Sequence, residues 1–386
     1  MAKTSTPRSR PAWLEATGLV GALALIVGIL LLAFGLPSVN GGPHDVPLGV
    51  VGPPPSVAAV EGALAKAAPG GFEVQTYDDE DALRAAIGDR EVHGGFVLGA
   101  EGGAPTVRIL TATAAGPPIA QGISTIGAAL ADHNGATATT VDVRPLPADD
   151  PRGAGLTAIG LPMVLGGILS AVLLIRRFPG RPWLKVVSAI AFALVEGALA
   201  ASVLTWWFGS VDENVVAVAL GVAFTLAAVA LTVIGLEALL GVAGIGLGAA
   251  TFVLLGNPLS GLAAGPEFLP SGWGAFGQLL PSGAGATLLR ANAYFDGAGT
   301  AAALTVLTCW VAFGLLLTAA GAWRARRAGT LPSEAASSSE PAPAGSSGSA
   351  GSSSSEALSP EASSGTAAPG SASSGSTSST TRPAAV

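Results

Sequence analysis

Glu196 is a single carboxylate inside the apolar run Val186 to Phe208. At the centre of a bilayer such a group costs about 2.5–3.5 kcal/mol unless it faces protein or water. Two chemistries fit it: proton acceptance or substrate contact on a transport path, or a protonated acid hydrogen-bonded between helices. The densest carboxylate run, Asp78-Asp79-Glu80-Asp81, invites a cation-site reading. Consecutive helical residues point in different directions, so these four cannot converge on one ion without an unwound loop. They fit helix capping instead, with Asp78 or Asp79 as the cap and the following acids in the first turn, where the helix dipole favours them. His93 and His133 lack the spacing and neighbouring ligands of a zinc site and read as surface histidines. The sequence has no Gly-x-Ser-x-Gly nucleophile turn, no metallopeptidase motif and no Gly-x-x-x-x-Gly-Lys-Ser/Thr phosphate loop. The expectation is therefore a non-enzyme without a cofactor on this chain; if ATP drives it, another chain hydrolyses the ATP.

The elements that must carry these groups are apolar helices. A hydrocarbon core about 30 Å thick needs about 20 apolar residues per helix. Six spans are predicted: Gly18 to Leu36, Leu156 to Ile175, Val186 to Phe208, Val215 to Ile234, Ala238 to Leu255 and Ala301 to Trp323. The fourth and fifth form a hairpin with Gly235 and Glu237 at its turn. Three basic clusters fix orientation: Lys3, Arg8 and Arg10; Arg176, Arg177, Arg181 and Lys185; Arg324, Arg326 and Arg327. Cations are retained on the cytoplasmic side, which puts both termini there and residues 37–155 outside. The first span exceeds the usual signal core and reads as an uncleaved anchor. The expected organisation is a cytoplasmic stretch 1–17, an anchor 18–36, an external domain 37–155, a five-helix membrane domain 156–327 and a tail 328–386.

The external part reads as an α/β sandwich, because strands Val46 to Val51, Phe72 to Tyr77, Val92 to Leu98, Thr106 to Leu110 and Thr139 to Val143 alternate with helices Ser56 to Ala68, through Ile87, and Ile119 to Asp132. It holds 14 acidic against 6 basic residues, within a formal net charge of -7, and nothing points to a nucleic-acid partner. With Cys309 the sole cysteine, no internal disulfide is available and the domain rests on its own hydrophobic core. The Ser/Ala/Gly/Pro-rich tail cannot bury enough apolar surface to order itself and reads as a disordered cytoplasmic extension.

Prolines break the apolar run at 257–299: Asn257-Pro258, Pro266-Glu267-Phe268-Leu269-Pro270, and Leu279-Leu280-Pro281. Non-helical backbone at membrane depth is tolerated only where protein covers it or where it lines a wet cavity. A re-entrant or interfacial element on the outer face is expected, with Trp273 and Tyr294 at headgroup level. Gly241, Gly244, Gly246 and Gly248 favour close helix packing.

With its anchor, external domain and five-helix block, the chain resembles type 2 ABC exporter permeases and, more closely, the phage-infection-protein (Pip) group of bacterial membrane proteins. The matching pieces are Pro47-Leu48-Gly49-Val50-Val51, Gly94-Gly95-Phe96-Val97-Leu98, Pro145-Leu146-Pro147 through Asp150-Pro151-Arg152-Gly153, and the proline segment. The resemblance implies a permease-like subunit of the plasma membrane, dimeric, working with a separate ATP-binding subunit. On that expectation Glu196, Pro270, Trp273, Pro281 and Arg290 line the path of a hydrophobic or cell-envelope molecule moving outward. Cytoplasmic partner contact falls to Arg176, Arg177, Arg181 and Lys185. A different class, a non-transporting envelope receptor or scaffold, would act through the external domain.

Overall fold

The computed structural model describes residues 12–329. Lys3, Arg8, Arg10 and the tail beyond Gly329 lie outside the described residues, so the expectations for both termini fall there. Among the described residues, five helices are long and apolar enough to cross a membrane: α1 (Ala12–Asn40), α5 (Ala154–Arg177), α6 (Pro182–Trp206), α7 (Val215–Leu240) and α11 (Ala301–Arg327). Helix α7 is apolar all round, the mark of a helix with no solvent face. It is the centre of the block, with 72% of its most apolar window buried against 22–33% for α5, α6 and α11. Thr225 and Thr232 fit inside it by donating their hydroxyls to the carbonyls of Gly221 and Ala228 one turn back.

The expected turn at Gly235 is corrected. Gly235 is buried in mid-helix, where a Cβ would meet the Gly314 carbonyl oxygen at 2.5 Å, so its absence lets α7 and α11 touch backbone to backbone. The chain turns at Gly241, whose φ of 64° ends α7. The following helix α8 (Val242–Ala249) runs into a π-helical stretch, Ala250–Gly256. These 15 residues replace the expected span Ala238 to Leu255 and rise about 22 Å, short of the roughly 30 Å hydrocarbon core. A 3₁₀ turn (Pro266–Phe268), α9 (Trp273–Gln278) and α10 (Pro281–Tyr294) then follow, α10 being packed against α7 and α11.

Between α1 and α5 lies the α/β domain, with β1 (Val46–Val51), α2 (Pro54–Ala67), β2 (Phe72–Tyr77), α3 (Glu80–Gly88), β3 (Gly94–Glu101), β4 (Ala104–Thr111), α4 (Pro117–His133) and β5 (Thr137–Asp142). The sheet order is β2-β1-β3-β4-β5, with β1 parallel to β2 and β3, β4 antiparallel to β3, and β5 parallel to β4. Asp79 caps α3 by accepting from the Ala82 amide at 2.8 Å, while Glu80 pairs with Arg84 and Arg108. The carboxylate run is thus spent on capping and pairing.

The two faces of the sheet are closed differently. Leu48, Val50, Phe96 and Ile109 pack under Val60, Leu64 and Ile123 of α2 and α4. On the opposite face, Leu83, Ile87, Val92 and Leu110 pack around Phe295, which follows α10. The expectation of a self-contained core is therefore corrected: half of it is completed by the helical block.

Candidate functional site: the junction beneath the sheet

The segment 257–300 and the α/β domain meet in a buried polar junction. Arg90 follows α3 in the left-handed conformation (φ 62°), and its guanidinium lies 5.4 Å from the centre of the Phe295 ring. One arm donates to the Thr287 carbonyl of α10 at 3.5 Å. His93, just before β3, brings Nε2 within 3.3 Å of Glu267 Oε1 in the 3₁₀ turn. That turn also clasps the linker after α1, because the carbonyls of Glu267 and Phe268 accept from the amides of His44 (2.9 Å) and Gly42 (3.3 Å). Arg290 is buried and donates to the Leu262 carbonyl.

Charges here are set by burial. Burial, with Arg90 and Arg290 in support and Glu267 opposing, holds the His93 imidazole below its ordinary range, hence neutral at pH 7. Among the described residues, His93 Nε2, Glu267 Oε2 and the Tyr294 hydroxyl are buried with no hydrogen-bond partner. Each such group costs about 1–3 kcal/mol, so the approach of His93 to Glu267 is not a satisfied structural bond.

Two further ties surround the junction. Asp150 accepts from the amides of Ala154 and Gly155, each at 2.8 Å, and from the Ser210 hydroxyl at 2.6 Å. It thereby caps α5 and holds the α6–α7 connection. Burial alone would raise its carboxyl, but the Ser210 hydroxyl and the Gly155, Ala154 and Gly153 amides hold it below the usual range. At the rim Asp296 receives Arg144 at 3.4 Å and the Asn214 amide at 3.0 Å.

The residues singled out from the sequence are dispersed. Arg290 is in the junction, and Pro281, buried at the first turn of α10, stands beside Ser282, whose hydroxyl donates to the Gly256 carbonyl at 2.7 Å. Trp273 lies with Ile29 and Leu32 of α1 along a cleft of about 340 Å³, and the Pro270 carbonyl accepts from the Trp273 amide at 2.9 Å. Glu196 is half-buried on α6, with no hydrogen bond or ion pair among the described residues, and is not brought to Arg290's surroundings. Arg176, Arg177 and Arg181 are exposed, whereas Lys185 is buried in a 2.9 Å pair with Glu237 of α7. Neither histidine lies in a group able to hold a metal among the described residues. His133 is exposed as expected, but His93 is not a surface histidine, because the Glu267 turn covers it. Tyr294 likewise turns its hydroxyl inward.

No local pattern signals that Arg90, His93, Glu267 and Phe295 act together, since the partners come from segments far apart in the chain. Asp150 lies three residues before the N-cap Gly153, outside the position that an N-cap signature marks, so sequence reading missed it. Chemically, the junction is a neutral imidazole, a carboxyl group and two guanidinium groups partly shielded from water, an ionisable joint rather than a nucleophile with its base. No protein-family model, no curated protein and no solved structure matches this chain.

Proposed function

We propose that the chain is a permease-like subunit of the plasma membrane that exports a hydrophobic or cell-envelope molecule, as a dimer with a separate ATPase. Both termini are cytoplasmic and the α/β domain is external. The fifth of six crossings is discontinuous, made by the 15-residue helix Val242–Gly256 together with the segment leading to α11. The observation that carries this reading is that broken crossing, packed on the central α7 and joined to the external domain through Arg90, Phe295 and Glu267. Interrupted helices at membrane depth mark binding sites in transporters, where covered backbone can meet a substrate. Glu196 is a group on or near the path, because an unpaired carboxylate among apolar helices is functional by default. Arg176, Arg177 and Arg181 remain open for a cytoplasmic partner.

The test is purification of the tagged protein in mild detergent with mass spectrometry. Stoichiometric recovery of a phosphate-loop ATPase supports the reading; a clean preparation without one removes the ATPase from it. Glu196→Gln is expected to abolish export at normal expression, and unchanged export would take Glu196 out of the mechanism.

A specific feature favours the receptor alternative. A crevice of about 610 Å³ opens beyond the carboxyl ends of β1 and β3, between α2, the end of α4 and the β3–β4 hairpin. The strand order reverses between these two parallel strands, with β2 on one side of β1 and β3 on the other, where open α/β sheets hold their ligands. Pro54 and Pro55 contribute no N–H, and the Ser56 and Val57 amides are bonded to the Pro53 carbonyl, so α2 offers no anion seat. A neutral, largely apolar ligand suits it.

A further inference from the structure

Helices α6 and α11 both pack on α7 and hardly on each other, which leaves an open groove of about 490 Å³ between them. Its floor is α7, where the small Ala217, Gly221, Ala223 and Ala227 are interspersed with Leu220 and Phe224. Its walls are apolar, with Leu194 of α6 and Leu304 of α11 on either side. Polar side chains appear at one end only. There Asn292 donates to the Ala217 carbonyl at 2.8 Å, and Thr300 stands at the start of α11.

We propose that this groove holds one acyl chain of an outer-leaflet membrane lipid, with the ester end of that lipid at Asn292 and Thr300. The assignment of leaflet rests on the orientation proposed above. The floor runs ten helical steps from Ala217 to Ala227, about 15 Å, which is half the thickness of a hydrocarbon core. The depth therefore matches one leaflet. A single hydrocarbon chain, about 4–5 Å across at carbon contact distance, fits with room for its ester end. Glu196 stays out of this groove, which α6 lines with Ile190, Ala193 and Leu194, so the chain meets no carboxylate.

The full-length protein is reconstituted in nanodiscs containing phosphatidylglycerol with a diazirine in its acyl chain, irradiated, and mapped by peptide mass spectrometry. Labelling at the groove is expected to exceed that at the exposed Leu165 and Leu169 of α5 several-fold, because a chain seated there has protein on more than one side and dispersion contacts hold it longer than on an open helix face. Leu220→Trp, at the exposed lip, should lower groove labelling by a similar factor and leave α5 labelling unchanged. Leu304→Trp is the second variant, should the first not fold. Equal labelling of groove and α5 overturns the proposal, as do cross-links joining two copies of the chain across the groove. Absence of a copurifying ATPase alters neither labelling result, so this test and that of the permease reading fail separately.

Discussion

The two faces of the sheet differ in ownership. One is covered by α2 and α4, whose Val60, Leu64 and Ile123 meet Phe96 and Ile109, with the partly buried Phe268 of the 3₁₀ turn added against them. The other is covered by α3 together with the fully buried Phe295, which arrives from beyond α10. A sheet that borrows a buried residue for one cover and a partly buried one for the other cannot be a separate module, and whatever moves the segment 257–300 also moves the face that Phe295 completes.

The largest test of this difference removes the borrowed residue. Phe295→Ala should cost about 3–5 kcal/mol, as a fully buried aromatic does, read as a lower thermal midpoint and faster proteolysis of the α/β domain in the full chain. A fragment of residues 41–150 should expose the Leu83 and Leu110 face to a hydrophobic dye while keeping α2 and α4 protected from exchange; equal protection of both faces would refute the comparison. Asp150→Ala comes next, at about 2 kcal/mol, because it strands two amides at the start of α5 and the Ser210 hydroxyl. Acid offers a subtler probe. His93 is held below its ordinary range when folded, so the unfolded chain takes up a proton first as pH falls. Stability should be intact above about pH 6.5 and decline below it, and His93→Gln should flatten that decline in thermal midpoints. The smallest effect belongs to the rim, where Arg144→Ala removes an exposed pair with Asp296 and should cost less than about 1 kcal/mol.

What the sequence made legible follows the same division. Val46–Val51 and Phe72–Tyr77 coincide with their predicted limits, because alternating apolar residues between Pro and Gly breakers are a local signal. The long apolar helices were equally plain, and so was the capping by Asp79. The turn at Gly241 was not, since several glycines crowd the run after Gly235 and only backbone conformation distinguishes one that turns the chain from one that admits a neighbouring helix. The pairing of Lys185 with Glu237 escaped notice because its members belong to different helices, 52 residues apart. His93 seemed a surface residue for the same reason: the turn that buries it lies in a distant, proline-broken stretch. Contacts between elements, unlike the elements, carry no period to read.

The clasp between the 3₁₀ turn and the linker after α1 has a mechanical consequence. Helix α1 has none of its most apolar window buried in the block, and the amides of Gly42 and His44 fasten its far end to Phe268 and Glu267. A pull on the sheet would travel along two routes in parallel: through Arg90 and Phe295 into α10, and through β1 into that two-bond latch. The first route is a packed aromatic core and the second a pair of backbone bonds, so the latch would slip first, leaving α1 as a leash while the sheet and α10 still moved as one lever.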